Sequence, residues 1–452
     1  MFSLPILITG LLINSLNLIN ILILKFTIGG EGVTAINQTN TINLILLNFA
    51  IGVCSGFEVV GGHHYGNKDF DRTKQAFHHS VFLFLIISGL LIILGAIILN
   101  PTLTLLRVDE RYFRKAHDYY FIIILGLPII ILNQLMMAYL RVVGEYVYPV
   151  IIAVASSLVQ ILFIYLLTSN NLANLDTIGF GIATLIANGF GLVANYLYLV
   201  KRFPQLSLGK GFKVQKWITL DLLKQGLPLG FQWSVFFVGY FVFTRQINLF
   251  GPDAGHGMTV FSNMEAYSSL FFSTIAVSLL SYVSKNYGAN QIGRIKAGVK
   301  WALFLNLGGF IIMFVIGYLL IPYAPDIFLN QATINQDVRF YSSVYLYIFY
   351  PSIILTSLLT VARATLQGLK KPLISFISGI AELVMRLLIL LLLPYLVDPN
   401  YLTTHSRNAY IAISFSSAGA WFISALILSV SMLVALKDIS SHLNHKAESI
   451  NQ

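Results

Sequence analysis

Long apolar runs separated by short polar connectors dominate the chain. Each run has about the 20 residues that an α-helix needs to cross the hydrocarbon of a bilayer. The pattern predicts twelve transmembrane helices, here called spans 1 to 12, near residues 4–26, 38–62, 79–99, 119–140, 149–168, 178–200, 226–250, 258–283, 299–321, 341–362, 372–394 and 409–436. The sequence does not show the short alternating strands typical of a membrane barrel, so we predict an all-α polytopic membrane protein.

The composition supports this prediction. Of the 452 residues, 57% are hydrophobic and 10% are charged, whereas soluble proteins are roughly 45–50% apolar and 25% charged. The connectors leave no room for a separate enzyme domain. Cys54 is the single cysteine, which excludes an internal disulfide and a cysteine-ligated metal cluster, and we expect no resident cofactor. The net charge of +10 lies mainly in the connectors, which indicates contact with membrane lipid rather than nucleic acid.

The connectors differ in their content of Lys and Arg. Those after even-numbered spans, together with the tail, hold 18 such residues, and those after odd-numbered spans hold 6. Because basic connectors stay in the cytoplasm, both termini of this multi-pass protein are predicted to lie on the cytoplasmic side of the cell membrane. Span 1 has no basic residue ahead of it and no small-residue cleavage site, so we predict a retained helix rather than a signal peptide.

An internal repeat relates the two halves of the chain. Three prolines recur at an offset of 223 residues and several polar residues at 222. The pairs are Pro5 and Pro228, Pro128 and Pro351, Pro149 and Pro372, Tyr65 and Tyr287, Arg72 and Arg294, Lys74 and Lys296, and Arg141 and Arg363. A shared apolar composition does not fix such a register. Each half holds six spans, an even number, so the repeat is parallel and both halves enter the membrane from the same side.

The repeat predicts two six-helix lobes. The predicted parts are an N-terminal lobe at 1–200, a basic cytoplasmic linker at 201–225, a C-terminal lobe at 226–436 and a cytoplasmic tail at 437–452. Transporters commonly place their substrate path between or within such halves and move them against each other. Alternating access is therefore the expected mechanism.

Several segments resemble the multidrug and toxic compound extrusion family, within the wider MOP flippase superfamily. They are Leu4–Leu7 with its continuation Gly29–Ala35, Gly61–Asn67, Ser284–Asn290 and Gln367–Pro372. Their order and spacing agree with the repeat over nearly the whole chain. The resemblance implies a V-shaped, two-lobed exporter, expected to be a monomer and not an enzyme. It would be driven by a proton or sodium gradient and would expel small amphipathic, mostly cationic compounds.

The resemblance also implies a cation site in the N-terminal lobe. The family places an Asp in span 1, an Asn in span 5 and a Thr in span 6, and the corresponding residues here are Asn20, Gln160 and Thr184. An Asn cannot take up a proton, and a sodium ion bound only by neutral oxygens gains less than one facing a carboxylate. The substitution at Asn20 puts the family's usual coupling chemistry in doubt and leaves the coupling ion open.

Ionisable residues inside membrane helices are costly and are therefore candidates for function. We predict that Glu265 on span 8 pairs with Arg245 on span 7. Glu382 on span 11 has Arg386 four residues on, the spacing at which two side chains meet on a helix face, and a structural ion pair is the favoured interpretation. We expect Glu58 to reach water from the cytoplasmic end of span 2.

Asparagines form stripes in the N-terminal lobe. Asn14, Asn17 and Asn20 follow one another at intervals of three on span 1, and Asn188 and Asn195 share a face of span 6. Either they hold helices together by hydrogen bonds, or they line an uncharged polar cavity that handles substrate or water without titrating.

Two histidine pairs raise a competing hypothesis, a membrane metal enzyme. Membrane metal enzymes gather histidines on loops, and imidazole is a good iron ligand, but His63–His64 and His78–His79 lack a His-x-x-His-His arrangement. We interpret them as solvated loop residues with a possible pH-sensing role.

The sequence therefore predicts a cation-coupled antiporter that exports amphipathic, cationic drugs or toxins. The first alternative is a dedicated flippase or exporter of a lipid-linked or peptide-like product, and a membrane metal enzyme is the second. Trp233, Tyr240, Phe243 and Tyr345 are the aromatic residues expected to line a cation cavity.

Overall fold

The computed structural model describes residues 16, 19–20, 23–24, 26–105, 110–169, 172–208, 213–404 and 406–450. Span 1 therefore lies largely outside the described residues. Within them the regular structure is helical, without a strand. The helices are α1 Gly29–Gly66, α2 Phe70–Leu105, α3 Glu110–Leu125, α4 Leu127–Val143, α5 Val147–Thr168, α6 Asp176–Arg202, α7 Lys216–Asn248, α8 Pro252–Gly288, α9 Ile292–Leu320, α10 Ala324–Phe328, α11 Gln336–Gly368, α12 Pro372–Val397, α13 Tyr401–Thr404, α14 Arg407–Ser414 and α15 Ser416–Ile450. Short 3₁₀ helices cover Pro204–Leu206, Ile321–Tyr323 and Gln331–Thr333.

Spans 2 to 12 are confirmed as helices. Ten stretches of the described chain are long and apolar enough to cross a membrane, and an eleventh is the pair α3–α4, bent by 48°. The bend lies at Gly126, where a Cβ would come within 1.9 Å of the Leu185 side chain. Pro128 follows in the first turn of α4 and has no N–H to continue the hydrogen bonds of α3. Span 4 is therefore a broken helix.

The repeat is visible in the backbone as well as in the sequence. After α1, the amides of Asn67 and Lys68 donate to the carbonyls of His63 and Tyr65. After α8, the amides 222 residues later, those of Ala289 and Asn290, donate to Lys285 and Tyr287 in the same pattern. Lys68 has φ 59° and Asn290 has φ 55°, the left-handed conformation that ends a helix and turns the chain. The two halves thus reverse direction by the same local geometry.

The chain contains two compact units, Met1–Ser234 (unit 1) and Val235–Gln452 (unit 2). The division falls inside α7, whereas the sequence places the start of the second lobe at 226. The reason is a close crossing of α7 and α1 within unit 1. A Cβ on Gly56 would lie 2.5 Å from the Cα of Gly226, and one on Gly52 would lie 2.4 Å from the carbonyl oxygen of Leu229. Only glycine permits this approach.

Aromatic side chains fill the core of both units. In unit 1, Phe77 packs edge-on against Tyr139 with ring centres 4.8 Å apart. In unit 2, Tyr345 lies between Phe243 and Phe261, at 5.2 Å and 3.9 Å. Phe243 and Tyr345 are fully buried and pack against each other and against Phe261, and the expectation that they line a cavity stays a prediction.

Candidate ion and substrate sites

Unit 1 brings together the three residues that the family resemblance implies. The side-chain amide of Asn20 donates to Gln160 Oε1 at 3.4 Å, and the amide of Gln160 donates to Thr184 Oγ1 at 3.0 Å. Asn20 is 4% exposed. Span 1, α5 and α6 therefore meet at a buried cluster of neutral hydrogen-bonding groups.

The cluster continues along α6 into α4. Asn188 Nδ2 donates to the backbone carbonyl of Thr184 at 2.9 Å and its Oδ1 accepts from Asn133 at 3.3 Å. Asn133 Oδ1 in turn accepts from Asn195 at 3.1 Å. We call Asn20, Gln160, Thr184, Asn188, Asn133 and Asn195 the amide chain. Sequence reasoning missed Asn133, although amide side chains in an apolar span were a usable signal.

The amide chain has free acceptors. Within the described residues, Asn20 Oδ1, Asn195 Oδ1 and Ser156 Oγ are buried without a hydrogen-bond partner. Gly191 lies beside Ser156 and Asn133, because a Cβ there would be 3.0 Å from both Asn133 Oδ1 and Ser156 Oγ. A buried oxygen without a partner is costly. These atoms are therefore suited to a water molecule or to a hydrogen-bond donor of a ligand, and none of the chain's side chains carries a charge.

A buried ion pair stands apart from the amide chain. Arg141 on α4 donates to both carboxylate oxygens of Glu58, with the shortest distance 2.8 Å from Nη2 to Oε2. Glu58 is 1% exposed. The expectation that Glu58 reaches water is therefore wrong, because α1 continues to Gly66 and α4 supplies a guanidinium at the depth of the carboxylate.

Unit 2 contains a cluster of buried charges. Glu382 on α12 accepts from Arg363 of α11, 3.0 Å from Nη2 to Oε2, and pairs with Arg386, 3.6 Å from Nη2 to Oε1. Glu382 and Arg386 are each 5% exposed. The predicted pair of Glu382 and Arg386 is confirmed. Arg363 joins it from another helix, which helical spacing could not reveal.

Hydroxyl groups fix the two guanidinium groups of this cluster. Arg386 Nη1 donates to Ser417 Oγ at 3.0 Å, and Ser417 also contacts the Tyr345 hydroxyl at 2.8 Å. Arg363 donates to Ser424 Oγ at 3.2 Å. A buried charge needs such partners to offset the loss of hydration.

Glu265 lies half-buried on α8, and the predicted pair with Arg245 is wrong. The ion pairs found among the described residues include neither of the two side chains. Arg245 is exposed because Phe243 and Ile247 on the same helix face inward, which places residue 245 on the opposite side. The charge that acts on Glu265 is instead the guanidinium of Arg386.

The repeat relates the two sites. Gln160 lies on α5 and Glu382 on α12, the helices that begin near the paired prolines Pro149 and Pro372. The corresponding helices thus carry a neutral amide in unit 1 and a carboxylate in unit 2.

The histidines are not solvated loop residues. His63 and His64 belong to α1 and His78 and His79 to α2, and His64 and His79 are buried. Both helices extend beyond their apolar runs, so the predicted loop is shorter than the hydropathy pattern indicates. The described residues contain no group of three or more His, Cys, Asp or Glu arranged to hold a metal ion.

A sequence profile of the MatE family matches residues 5–166 and 228–392. The chain belongs to the MatE family. The two matches begin 223 residues apart, so the predicted internal repeat is confirmed. Members of this family are transporters, and this MatE protein is accordingly a transporter and not an enzyme.

Named relatives of this MatE transporter are distant. A probable multidrug resistance protein YoeA of Bacillus subtilis is 21% identical over 323 residues, 70% of each chain. A probable multidrug resistance protein NorM of Halalkalibacterium halodurans is 26% identical over 266 residues, 56% of this chain and 57% of the relative. A protein named FAD transporter, from Shewanella oneidensis, is 22% identical over 378 residues, 82% of each chain.

Solved structures share the fold of this MatE transporter. A Vibrio cholerae MATE transporter superposes with a TM-score of 0.86 at 16% identity, covering 97% of this chain and 96% of that one. A MOP superfamily transporter from Pyrococcus furiosus gives 0.84 at 18% identity, covering 97% and 95%. These likenesses show an all-α fold of twelve membrane helices in two lobes, eleven of which lie in the described part of this chain.

Proposed function

We propose that this MatE transporter is a cation-coupled antiporter, which exports amphipathic, cationic compounds by alternating access and couples to the ion gradient through unit 2. The observation that carries the proposal is Glu265, a half-buried carboxylate on a membrane helix that makes no ion pair among the described residues. Carboxylates in such positions are typical of ion and proton pathways.

The amide chain of unit 1 supports the proposal because it contains no titratable side chain. The family's helix-1 acid is Asn20 here, and the amide chain around it consists of Asn, Gln and Thr side chains. These groups donate and accept hydrogen bonds but do not change their charge with pH. A coupling step that exchanges a proton, or that needs a carboxylate to neutralise sodium, therefore has no titratable group in the amide chain.

Within unit 2, Glu265 is better suited to ion exchange than Glu382. Two guanidinium groups hold Glu382, so its charge is already neutralised by the protein. Glu265 has only the more distant field of Arg386 and can bind a proton or a sodium ion without first breaking an ion pair. Arg386 acts on both carboxylates, so a change of charge at Glu265 alters the balance at Glu382.

The direct test is uptake of a fluorescent organic cation into proteoliposomes under an imposed proton gradient, an imposed sodium gradient or no gradient. We expect one of the two gradients to drive transport. Glu265→Gln should abolish the gradient-driven part, whereas Asp253→Asn, a matched change near the start of the same helix, should preserve it. Gradient-driven transport that survives in Glu265→Gln would refute the role of Glu265, and transport that ignores both gradients in the unchanged protein would refute antiport.

The substrate class rests on the relatives named multidrug resistance proteins and on the hydrogen-bonding groups of the amide chain, Asn188 among them. The relative named FAD transporter favours a second candidate, a dedicated exporter of one product. The two candidates differ in breadth. In the liposome assay, a multidrug exporter should take up the fluorescent cation and be inhibited by several unrelated cations, whereas a dedicated exporter should not take up the dye.

The orientation follows from the connectors. The excess of Lys and Arg after even-numbered spans supports cytoplasmic termini in the cell membrane. A fluorescent protein fused after Gln452 should therefore fluoresce in intact bacteria, because it matures in the cytoplasm. A fusion that is dark at normal expression would place the tail on the other side.

A further inference from the structure

The connector between α6 and α7 is fastened to α2 by two adjacent histidines. The described part of this connector covers residues 203–208 and 213–215, and all of it belongs to unit 1. His78 contacts its first part and His79 its second. We propose that His79 is a pH-sensitive latch, which holds the start of α7 while its imidazole is neutral and releases it on protonation. This inference does not depend on the proposed coupling site.

Both ring nitrogens of His79 are engaged. Nδ1 lies 2.7 Å from the backbone carbonyl oxygen of Gln75, which can only accept, so Nδ1 carries the hydrogen. Nε2 accepts the backbone N–H of Gln215 at 2.8 Å. This pattern fits one neutral tautomer. Protonation would place a hydrogen on Nε2, so that two N–H groups would face each other and the bond to Gln215 would be lost.

His78 provides a comparison in the same connector. Its Nε2 lies 2.9 Å from the carbonyl oxygen of Ser207 and therefore donates. A donated bond to a carbonyl is kept when the imidazole takes up a second proton. The two neighbours thus respond differently to acid, because one donates to the connector and the other accepts from it.

Gln215 is where α7 begins. The backbone amide of Thr219 donates to its carbonyl at 3.1 Å, so the N–H that His79 accepts is one of the amides with no partner inside the helix. Trp217 in the first turn adds contacts. Arg72 of α2 lies over its ring at 5.4 Å, and the His64 ring of α1 approaches edge-on at 6.1 Å. Loss of the latch would loosen the first turn of α7.

The elements near His79 carry several charged and titratable groups. Those on α2 are Arg72, Lys74 and His78; those on α1 are Glu58, His63 and His64; those on α4 are Tyr139 and Arg141; and those on the connector and α7 are Lys213, Lys216 and Asp221. Glu58 is held by Arg141. The two hydrogen bonds of His79 require a neutral imidazole, so the latch is closed while the ring is neutral and opens when acid protonates it.

Hydrogen exchange of the full-length protein in lipid nanodiscs tests the latch. The probe is the peptide that covers residues 213–222, followed between about pH 5.5 and pH 8 and corrected for the intrinsic pH dependence of exchange. We expect the protection of this peptide to fall by roughly three- to tenfold towards acid, the effect of losing one hydrogen bond. Protection that does not change with pH would overturn the proposal.

Three variants separate the latch from general acid effects. His79→Gln keeps an acceptor near the position of Nε2 but cannot titrate, so the peptide should stay protected at every pH. His79→Leu removes the acceptor and should leave the peptide unprotected at every pH. His78→Gln is the matched control and should keep the pH dependence of the unchanged protein. A pH dependence that persists in His79→Gln, or that disappears in His78→Gln, would assign the effect to another group.

Discussion

The two units share one repeat but place different polar groups on the corresponding helices α5 and α12. On α5, Gln160 places a neutral amide in a chain of hydrogen bonds. On α12, Glu382 places a carboxylate between two arginines. A neutral chain can bind polar groups and transmit movement, but its charge is constant. A charged cluster responds to any ion that joins it. The proposal that unit 2 couples to the ion gradient rests on this difference.

The two arginines that the repeat pairs also differ between the units in the helix that supplies their partner. Arg141 and Arg363 are repeat partners, and each holds a buried glutamate, but Glu58 comes from α1 and Glu382 from α12. Position 280, which corresponds to Glu58 in the second half, is Leu280. Glu382 lies ten residues after the start of α12, or about 15 Å along the helix. In unit 2 the arginine therefore keeps its place in the repeat, but its glutamate comes from a different helix, about 15 Å from the start of that helix.

The largest expected effect comes from removing the carboxylate of unit 2. Glu382→Ala leaves Arg363 and Arg386 buried without their counter-ion, and we expect it to lower the free energy of unfolding by about 3–5 kcal/mol. Gln160→Ala, on the corresponding helix of unit 1, removes two neutral hydrogen bonds and should cost about 1–3 kcal/mol. Thermal unfolding in detergent compares the two variants. Equal losses would contradict the distinction between the units.

A second prediction transfers the charge from one unit to the other. Asn20→Asp restores the acid that the family resemblance implies at this position. In a Glu265→Gln background, we expect it to recover gradient-driven uptake that the single variant has lost, because Gln160 and Thr184 already surround the site. The liposome assay measures this recovery. Failure to recover transport in a correctly folded double variant would show that unit 1 cannot couple even with a carboxylate.

A smaller effect is expected from breaking the amide chain. Asn133→Leu removes a donor to Asn188 and an acceptor from Asn195, and we expect a loss of about 1–3 kcal/mol in the free energy of unfolding. Asn263→Leu is the control, since its side chain bonds only to the carbonyl of its own helix among the hydrogen bonds found. Unfolding midpoints that do not differ between the two variants would show that the chain adds nothing to stability.

The smallest effect concerns the rejected ion pair. Arg245 is exposed, so Arg245→Gln should change the free energy of unfolding by less than about 0.5 kcal/mol and leave gradient-driven uptake unchanged. A strong loss of uptake in this variant would mean that Arg245 approaches Glu265 during transport.

Local patterns predicted most of the fold. Hydropathy locates spans because lipid demands about 20 apolar residues in each, and the recurring prolines fixed the repeat. The pair of Glu382 and Arg386 followed from helical spacing alone. The histidines were wrongly predicted to lie on a loop, because the hydropathy pattern marks only the part of a helix that lies in lipid. Both α1 and α2 continue beyond that part.

Contacts between helices were harder to predict. Depth along a helix suggested that Glu265 could meet Arg245, but depth says nothing about the direction in which a side chain points. Arg363 and Asn133 were missed for the related reason that their partners lie on other helices. Asn20, Gln160 and Thr184 were grouped correctly through the family resemblance, which carries tertiary information that a single sequence does not.

The central claim is that unit 2 and not unit 1 exchanges the coupling ion. The most direct measurement is the release of protons or sodium when an organic cation binds to the purified protein, followed with a pH indicator in weak buffer and with a sodium-selective electrode. We predict that the unchanged protein and Asn20→Leu release an ion on binding, while Glu265→Gln binds without release. Release that persists in Glu265→Gln and disappears in Asn20→Leu would place the coupling site in unit 1 and contradict the account.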